Sequence, residues 1–351
     1  MAEPPAGRGP VTVQTITDRR QLVTLAPAWR ALFAAVPTAS VFQHPGWALA
    51  WCRTLGTEGG PQVQAAFRQG RLVGLAPLMV VADPSGGQTT RFVGAPLNDF
   101  NDFLIHPADP APVVVALWRQ VLDEASGWTA LELTPIRPDA ALRINGHLPN
   151  LTGAARELLP VQPAPLLRLE DDWEAYRARL PARHRRQWER TLARTLADHT
   201  VQVQPVEDPH QLADAVARFE RLRRSSWTAR GRLDELVPTQ RDDRFPQFLA
   251  AAAAALAGAG HCLLIELAID HTLAAADLYL TRARSALLYL RAFNIEAAEH
   301  SPGVMLAILG LKLLHARGYR EVSLGRGGEA FKYHLGGQDV PLERVVLRRS
   351  P

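Results

Sequence analysis

"SALLYLRAFNIEAAEHSPGVMLAILGLKLLHARGYREVSLG", residues 285–325, decides how the chain is read. "SALLYLRAFN" is an apolar run of strand length. After a polar loop, Ser301-Pro302-Gly303 opens a helix to about Arg317, closed by Gly318; Pro fits the first helical turn and Gly the position past the end. "YREVSLG" reads as the next strand. A strand that returns through a helix is the unit of a parallel sheet.

Working backward, "HCLLIELAIDHTLAAADLYLTRA" gives strand, turn at Asp270-His271, strand. The first half has the same order. "VQAAFRQGRLVGLAPLMVV" is strand, turn at Gln69-Gly70, strand, and "TRFVGAP" is a third strand before the loop "LNDFND". Asp109-Pro110 starts a helix to about Ser126, with Asp as cap and Pro at the first position. "WTALELTPI" is the strand after it. Two helices come earlier, "WRALFAAV" with Trp29, Leu32, Phe33 and Val36 on one face, and "HPGWALAWCRTLG". The repeated order predicts an α/β protein with two copies of one domain. Residues 1–10 read as a tail, 11–160 as the first copy and 161–351 as the second. The last strand, "LERVVLRR", can pack with either. Between the copies, residues 160–169, "PVQPAPLLRL", read as a Pro-rich connector.

Composition narrows the classes. Of 351 residues 47% are hydrophobic and 21% charged, which is globular. The net charge of +4 suits an anionic ligand without requiring nucleic acid. Cys52 and Cys262 are far apart in apolar surroundings, which argues for a reducing, cytoplasmic setting and against a disulfide framework. No His, Cys or Asp spacing suggests a metal. The N-terminus lacks an apolar core and is not read as a signal peptide. "FLAAAAAALAGAGHCLLIELAI" is interrupted by Gly258, Gly260, His261 and Glu266, and reads as a helix followed by a strand. The stretch "YRARLPARHRRQWERTLARTLADH" is a basic helix. Arg183, Arg185, Arg186, Arg190 and Arg194 spread round it, serving either as an approach for phosphates or as a solvated face.

"LGRGGEAFKYHLGG", residues 324–337, holds a formal GxGxxA at Gly325, Gly327 and Ala330. A dinucleotide fingerprint needs a further helix, a strand and an acid about 20 residues on. The chain stops too soon, and "LERVVLRR" has no acid at its end. No Lys-Ser or Lys-Thr closes a P-loop. What remains is a glycine turn before a short helix, with Glu329 and Lys332 at i, i+3 and Glu329 and Tyr333 at i, i+4. Among 39 basic residues only Lys312 and Lys332 are lysine. Under such a bias a retained lysine points to a task that arginine's wide fork cannot perform.

Residues 285–337 resemble the C-terminal signature of CelD-type (BioF-like) acetyltransferases, of the GNAT superfamily and related to the FemAB peptidyltransferases. Tyr289, Ser301-Pro302-Gly303, Arg326-Gly327, Glu329 and Lys332 carry the likeness. "VFQHPGWALAWCRTLG", "GAPLNDFNDFLI" with Asp99, and "FERLRRSSWTARG" resemble earlier family segments, so that the likeness spans about residues 25–348. Ser323 stands where the family has Asp. Arg223 and Ser226 replace its His and Arg, and Phe331 the aromatic before Lys. The resemblance implies tandem GNAT-like folds and an acyl-CoA co-substrate whose pyrophosphate sits at the N-terminus of the helix from Ser301. Helix N–H groups and dipole favour an anion there. Ser301, Gly303, Val304 and Arg326 are then the expected cofactor contacts. In the first copy the carboxylate of Asp109 occupies the equivalent cap, so the second copy is expected to bind the ligand.

Acyl transfer to an amine needs a base, an oxyanion donor and an acid for the thiolate. Glu329 is the expected base, and Tyr289 or Tyr333 the acid. Lys332, Trp227, Arg224, Asp277 and Asp99 are the expected acceptor-side residues, with Trp227 and Arg224 placed between the copies. Three readings follow. The chain is an acyl-CoA-dependent transferase acting on a sugar, an envelope or exopolysaccharide precursor, or a small amine. Alternatively it is a FemAB-type aminoacyl-tRNA-dependent transferase, or a GNAT-like binding protein without activity. DNA is not an expected partner.

Overall fold

Apolar periodicity and turn residues translate into a mixed α/β chain in the computed structural model. It describes residues 9–56, 59–82, 86–108, 110–123, 127–143, 148 and 154–349. In chain order the elements are β1 Thr12–Ile16, α1 Arg19–Ala35, α2 Pro45–Arg53, β2 Gly59–Pro61, β3 Val63–Arg68, β4 Arg71–Ala76, β5 Leu78–Ala82, β6 Gln88–Phe92, β7 Leu104–Ile105, α3 Pro110–Leu122 and β8 Ala130–Ile136. Then come β9 Ala154–Arg168, α4 Trp173–Arg179, α5 Ala182–Asp198, β10 Val201–Val206, α6 Pro209–Ala229, α7 Pro238–Arg241, α8 Phe245–Ala257, β11 Cys262–Ile269 and β12 Thr272–Arg282. The last are β13 Ser285–Phe293, α9 Pro302–Ala316, β14 Glu321–Ser323, α10 Ala330–His334 and β15 Gln338–Arg349. Two units result: Met1–Val161 with Pro341–Pro351, and Gln162–Val340. Among the described residues no helix is long and apolar enough to cross a membrane.

In the first unit the Gln69-Gly70 turn has φ of 49° and 76°, which lets β3 and β4 pair as a tight hairpin. That hairpin lies in a sheet ordered β1-β3-β4-β7. A second group of strands holds β6 parallel to β8, with α3 as the crossover. Residues 343–348 of β15 pair antiparallel with β8. Leu117, Trp118 and Val121 of α3 pack into the core with Phe92, Phe103 and Leu131. The loop before β7 is tied down by side chains. Trp47 donates to Asn98 at 2.8 Å, Asn98 bonds Asn101 at 2.7 Å, and the Asp102 carboxylate accepts the Leu142 N–H at 2.8 Å. Asp99 is buried in this loop. Asp109, the expected cap of α3, lies outside the described residues.

In the second unit the strand order is β10-β11-β12-β13-β14-β9. Asp270 and His271, at φ 47° and 64°, close the β11–β12 hairpin. β13 runs parallel to β14 through α9. Both units thus contain a parallel pair joined by one helix, as the repeat predicts. α9 presses Met305, Leu306, Leu311 and Leu314 into the core, each removal from water contributing about 1.5–3 kcal/mol. Gly310 brings it close to the sheet: a Cβ there would sit 3.5 Å from the Tyr279 hydroxyl.

The Pro-rich connector is corrected. Residues 160–168 belong to β9, whose Leu166, Leu167 and Arg168 pair with β14. Proline lacks a donor but keeps its acceptor. Pro165 accepts from Leu324 N–H at 2.8 Å and Pro163 from Gly327 N–H at 2.9 Å. The basic stretch is two helices broken at Pro181. Nor do its arginines spread evenly. Arg183, Arg186, Arg190 and Arg194, at i, i+3, i+7 and i+11, share one exposed face of α5. Trp188, Leu192 and Thr195 turn toward the core.

Candidate active site

The parallel pair at the centre of the second unit is short. β13 and β14 are in register only at Ser285–Glu321, Ala286–Val322 and Leu287–Ser323. β13 then continues to Phe293 while the chain leaves β14 into the glycine turn. On its other side β13 carries a bulge: Leu278 faces Leu290 and Tyr279 faces Leu288, leaving Tyr289 as the extra residue. A bulge re-aims a side chain and is common beside active sites. Tyr289 is half-buried there.

α9 begins beside the end of β13. A 3₁₀ segment, Ile295–His300, leads into it, and Ser301 adopts the left-handed conformation at φ 51°, ψ 52°. Serine is a common helix cap, yet the Ser301 side chain makes no cap here. In that backbone the hydroxyl does not reach back over the first turn. The carbonyl of Ser301 accepts from Val304 and Met305 at 2.9 and 3.1 Å. The Gly303 N–H has no partner among the described residues. A Cβ on Gly303 would meet only Phe293, at an ordinary 3.8 Å. The start of α9 is therefore an open donor site with room above it. Val304 is partly exposed beside it.

The glycine turn is built around Lys332. Gly325 and Gly327 have φ of 71° and 111°, conformations that glycine adopts freely. The turn points its carbonyls inward, and the Lys332 ammonium donates to Gly325 O at 3.0 Å, Arg326 O at 2.7 Å and Gly327 O at 3.2 Å. It also meets Glu329 Oε2 at 2.9 Å. Lys332 is 3% exposed and its three protons are matched by these four acceptors. The expected grip on an acceptor is thus replaced by a grip on the turn. Glu329 keeps a side chain 59% exposed, while Arg326 is half-buried. Tyr333 donates its hydroxyl to Asp339 at 2.8 Å, and that carboxylate raises its pKa. Ser323 is buried, its hydroxyl 3.4 Å from the Gly325 N–H.

Other expected residues divide. Asp277 is fully buried and held by Arg291 through two bonds of 2.8 and 2.7 Å. Arg291 also lies over the Phe331 ring. A carboxylate so engaged holds β12 to β13 and has no face left for an acceptor, which corrects its expected role. Arg224 is an exposed residue of α6 at 3.6 Å from Asp243. Trp227 is half-buried on α6, and Asp99 belongs to the first unit. At the two departures on α6, Arg223 and Ser226, the arginine forms a buried pair with Glu220 at 2.7 and 2.8 Å. Its Nη1 and the Ser226 hydroxyl are buried and without partners among the described residues.

One residue escaped the sequence reading. Arg230, at the end of α6, lies between two rings, 4.5 Å from the centre of Trp227 and 5.0 Å from that of Phe293. Trp227 three positions earlier was the only cue. Among the described residues no group of three His, Cys, Asp or Glu side chains can hold a metal.

Residues 182–333 match the family described as "Acetyltransferase (GNAT) domain", so the second unit carries a GNAT-type domain. Three solved structures extend the likeness to the fold of the whole chain. FemX is 12% identical, with 95% of this chain and 96% of that chain covered and a TM-score of 0.64. The C-terminal domain of a putative lysylphosphatidylglycerol synthetase from Agrobacterium fabrum is 13% identical, covering 93% and 92%, with a TM-score of 0.59. L-PGS from Bacillus licheniformis is 11% identical, covering 98% and 94%, with a TM-score of 0.56. No curated protein matches the chain.

Proposed function

We propose that the protein transfers an acyl group, acetyl being the simplest, from acyl-CoA to an amine or hydroxyl of a sugar, an envelope or exopolysaccharide precursor, or a small metabolite. The carrying observation is the start of α9. An uncapped helix terminus with a free Gly303 N–H and open space above it suits the donor's pyrophosphate. Ser301 and Val304 flank it. The thioester arm would extend along β13 past Tyr289, where the β14 ladder has ended.

The chemistry on this reading is a displacement at the thioester carbonyl. The acceptor nitrogen bonds to that carbon and the carbon–sulfur bond breaks. The amine proton goes to Glu329, directly or through water, and the thiolate takes a proton from a tyrosine. The bulge of β13 aims Tyr289 at that step, whereas Tyr333 donates its hydroxyl to Asp339. Lys332 acts at one remove by fixing the turn that carries Glu329.

Gly303→Asp tests the reading. The new side chain fits, and a carboxylate in the first turn favours the helix by about 0.3–1 kcal/mol while repelling a phosphate. The variant is expected to melt no lower than wild type and to lose the thermal shift given by acetyl-CoA. An unchanged shift refutes the placement.

The arginine face of α5 supports a second reading, a FemAB-type transferase using aminoacyl-tRNA. None of its four arginines is paired with a carboxylate among the described residues. Four phosphate contacts would give tRNA binding a slope of roughly −3 to −4 in log affinity against log salt. A flat salt dependence removes it.

A further inference from the structure

Several arginines of the second unit lie over aromatic rings. Arg223 covers Phe245, Arg291 covers Phe331, and Arg230 is held between Trp227 and Phe293. The first two each carry a two-bonded carboxylate, Glu220 and Asp277 respectively. Arg230 has none. Its Nε donates to the Ser226 carbonyl at 3.0 Å, and this leaves the Nη donors without a partner among the described residues. The nearby Glu235 is taken by Arg232.

A guanidinium fixed by two rings and one hydrogen bond has lost most of its side-chain freedom before any ligand arrives. A partly buried cation with no carboxylate bonded to it, only Glu235 at longer range and held by Arg232, is otherwise a poor arrangement, because part of its hydration is gone. Burial lowers its pKa, aided by the like charge of Arg232 and opposed by the carboxylate of Glu235, although an arginine stays charged. Both features are what a preorganised anion contact requires.

Its position indicates which anion. Phe293 is the last residue of β13, and its ring is the group 3.8 Å from the site of a Gly303 Cβ. One ring therefore backs both Arg230 and the first turn of α9. We infer that Arg230 is a phosphate-gripping residue that binds the donor's pyrophosphate opposite the start of α9. This rests on the acyl-CoA reading above. A planar fork offers paired N–H groups to phosphate oxygens, which a lysine ammonium cannot reproduce.

The experiment uses the full chain, three donors and two variants. Acetyl-CoA and acetyl-dephospho-CoA both contain the pyrophosphate, and the second lacks the 3′-phosphate. S-acetyl-N-acetylcysteamine contains neither. Arg230→Gln is expected to weaken binding of both CoA species by about 10- to 100-fold and to leave the weak binding of the short thioester as in wild type. Arg230→Lys is expected to recover only part of the loss. Unliganded melting within a few degrees of wild type shows that the rings still pack. Unchanged affinity for acetyl-CoA in Arg230→Gln overturns the inference alone. So does a loss confined to acetyl-CoA, which would assign Arg230 to the 3′-phosphate, or an equal loss with the short thioester. Wild-type protein that binds neither CoA species overturns the acyl-CoA reading, and the inference falls with it.

Discussion

Lys332→Met removes the ammonium and keeps most of the stem. Three buried carbonyls then lose their donor, at Gly325, Arg326 and Gly327. A buried polar group left unsatisfied costs about 1–3 kcal/mol. The three carbonyls share one donor and can relax partly toward water, so the sum is not three full penalties. The Glu329 pair adds little, roughly 0–1 kcal/mol, because that carboxylate is largely in solvent. The expected loss is about 2–5 kcal/mol. At about 2–4 °C per kcal/mol for a unit of this size, the melting temperature falls by roughly 4–20 °C. Differential scanning calorimetry with and without acetyl-CoA reads it. Glu329→Gln is the control and is expected to shift melting by no more than about 4 °C. Lys332→Arg is expected to behave like Lys332→Met, because a guanidinium is too wide for the enclosure. If Lys332→Met melts with wild type and instead raises the acceptor's KM, the ammonium faces substrate and the account of the turn is wrong.

Asp277→Ala strands the Arg291 guanidinium and is expected to destabilise by about 3–5 kcal/mol in urea unfolding; a loss below 1 kcal/mol contradicts the structural role. Ser301→Gly relieves a left-handed backbone and surrenders no cap, so melting is expected to rise slightly, by about 0.5 kcal/mol; a clear fall means the hydroxyl has a partner. His199 bonds Asp270 at 2.6 Å, and that bond raises its pKa. Folding therefore gains from this contact below pH about 6.5, and the gain disappears as pH climbs through the raised value. An NMR titration should place His199 above free histidine, and Asp270→Asn should return it.

How far the sequence reads depends on the kind of signal. Helix α9 and both tight hairpins rest on local cues, namely Pro-Gly openings, a closing glycine and two-residue turns, and local cues survive folding. The strand character of β9 was hidden because proline marks a break, and only a tertiary partner shows that Pro163 and Pro165 are needed as acceptors alone. β10 alternates in "VQVQPV" yet passed unread between two helices. Within the site, the spacing of Glu329 and Lys332 gives their pairing, but not that the glycine turn folds around the ammonium. Asp277 looked available because its partner sits fourteen positions on, brought opposite by the cross-strand register. Arg230 had no local mark beyond Trp227, since its second ring comes from β13.

The enclosure of Lys332 has a practical consequence. The chain has two lysines, and Lys312 is exposed on α9 while Lys332 is sealed within the turn. Amine-reactive footprinting with mass spectrometry therefore gives two side-chain channels with opposite behaviour. Lys312 reacts at the rate of a free amine and calibrates the reagent. Lys332 reacts only in molecules whose glycine turn has opened, so its labelling rate follows the breathing of that one segment. Few proteins come with such a probe already in place, and here the scarcity of lysine keeps its background low.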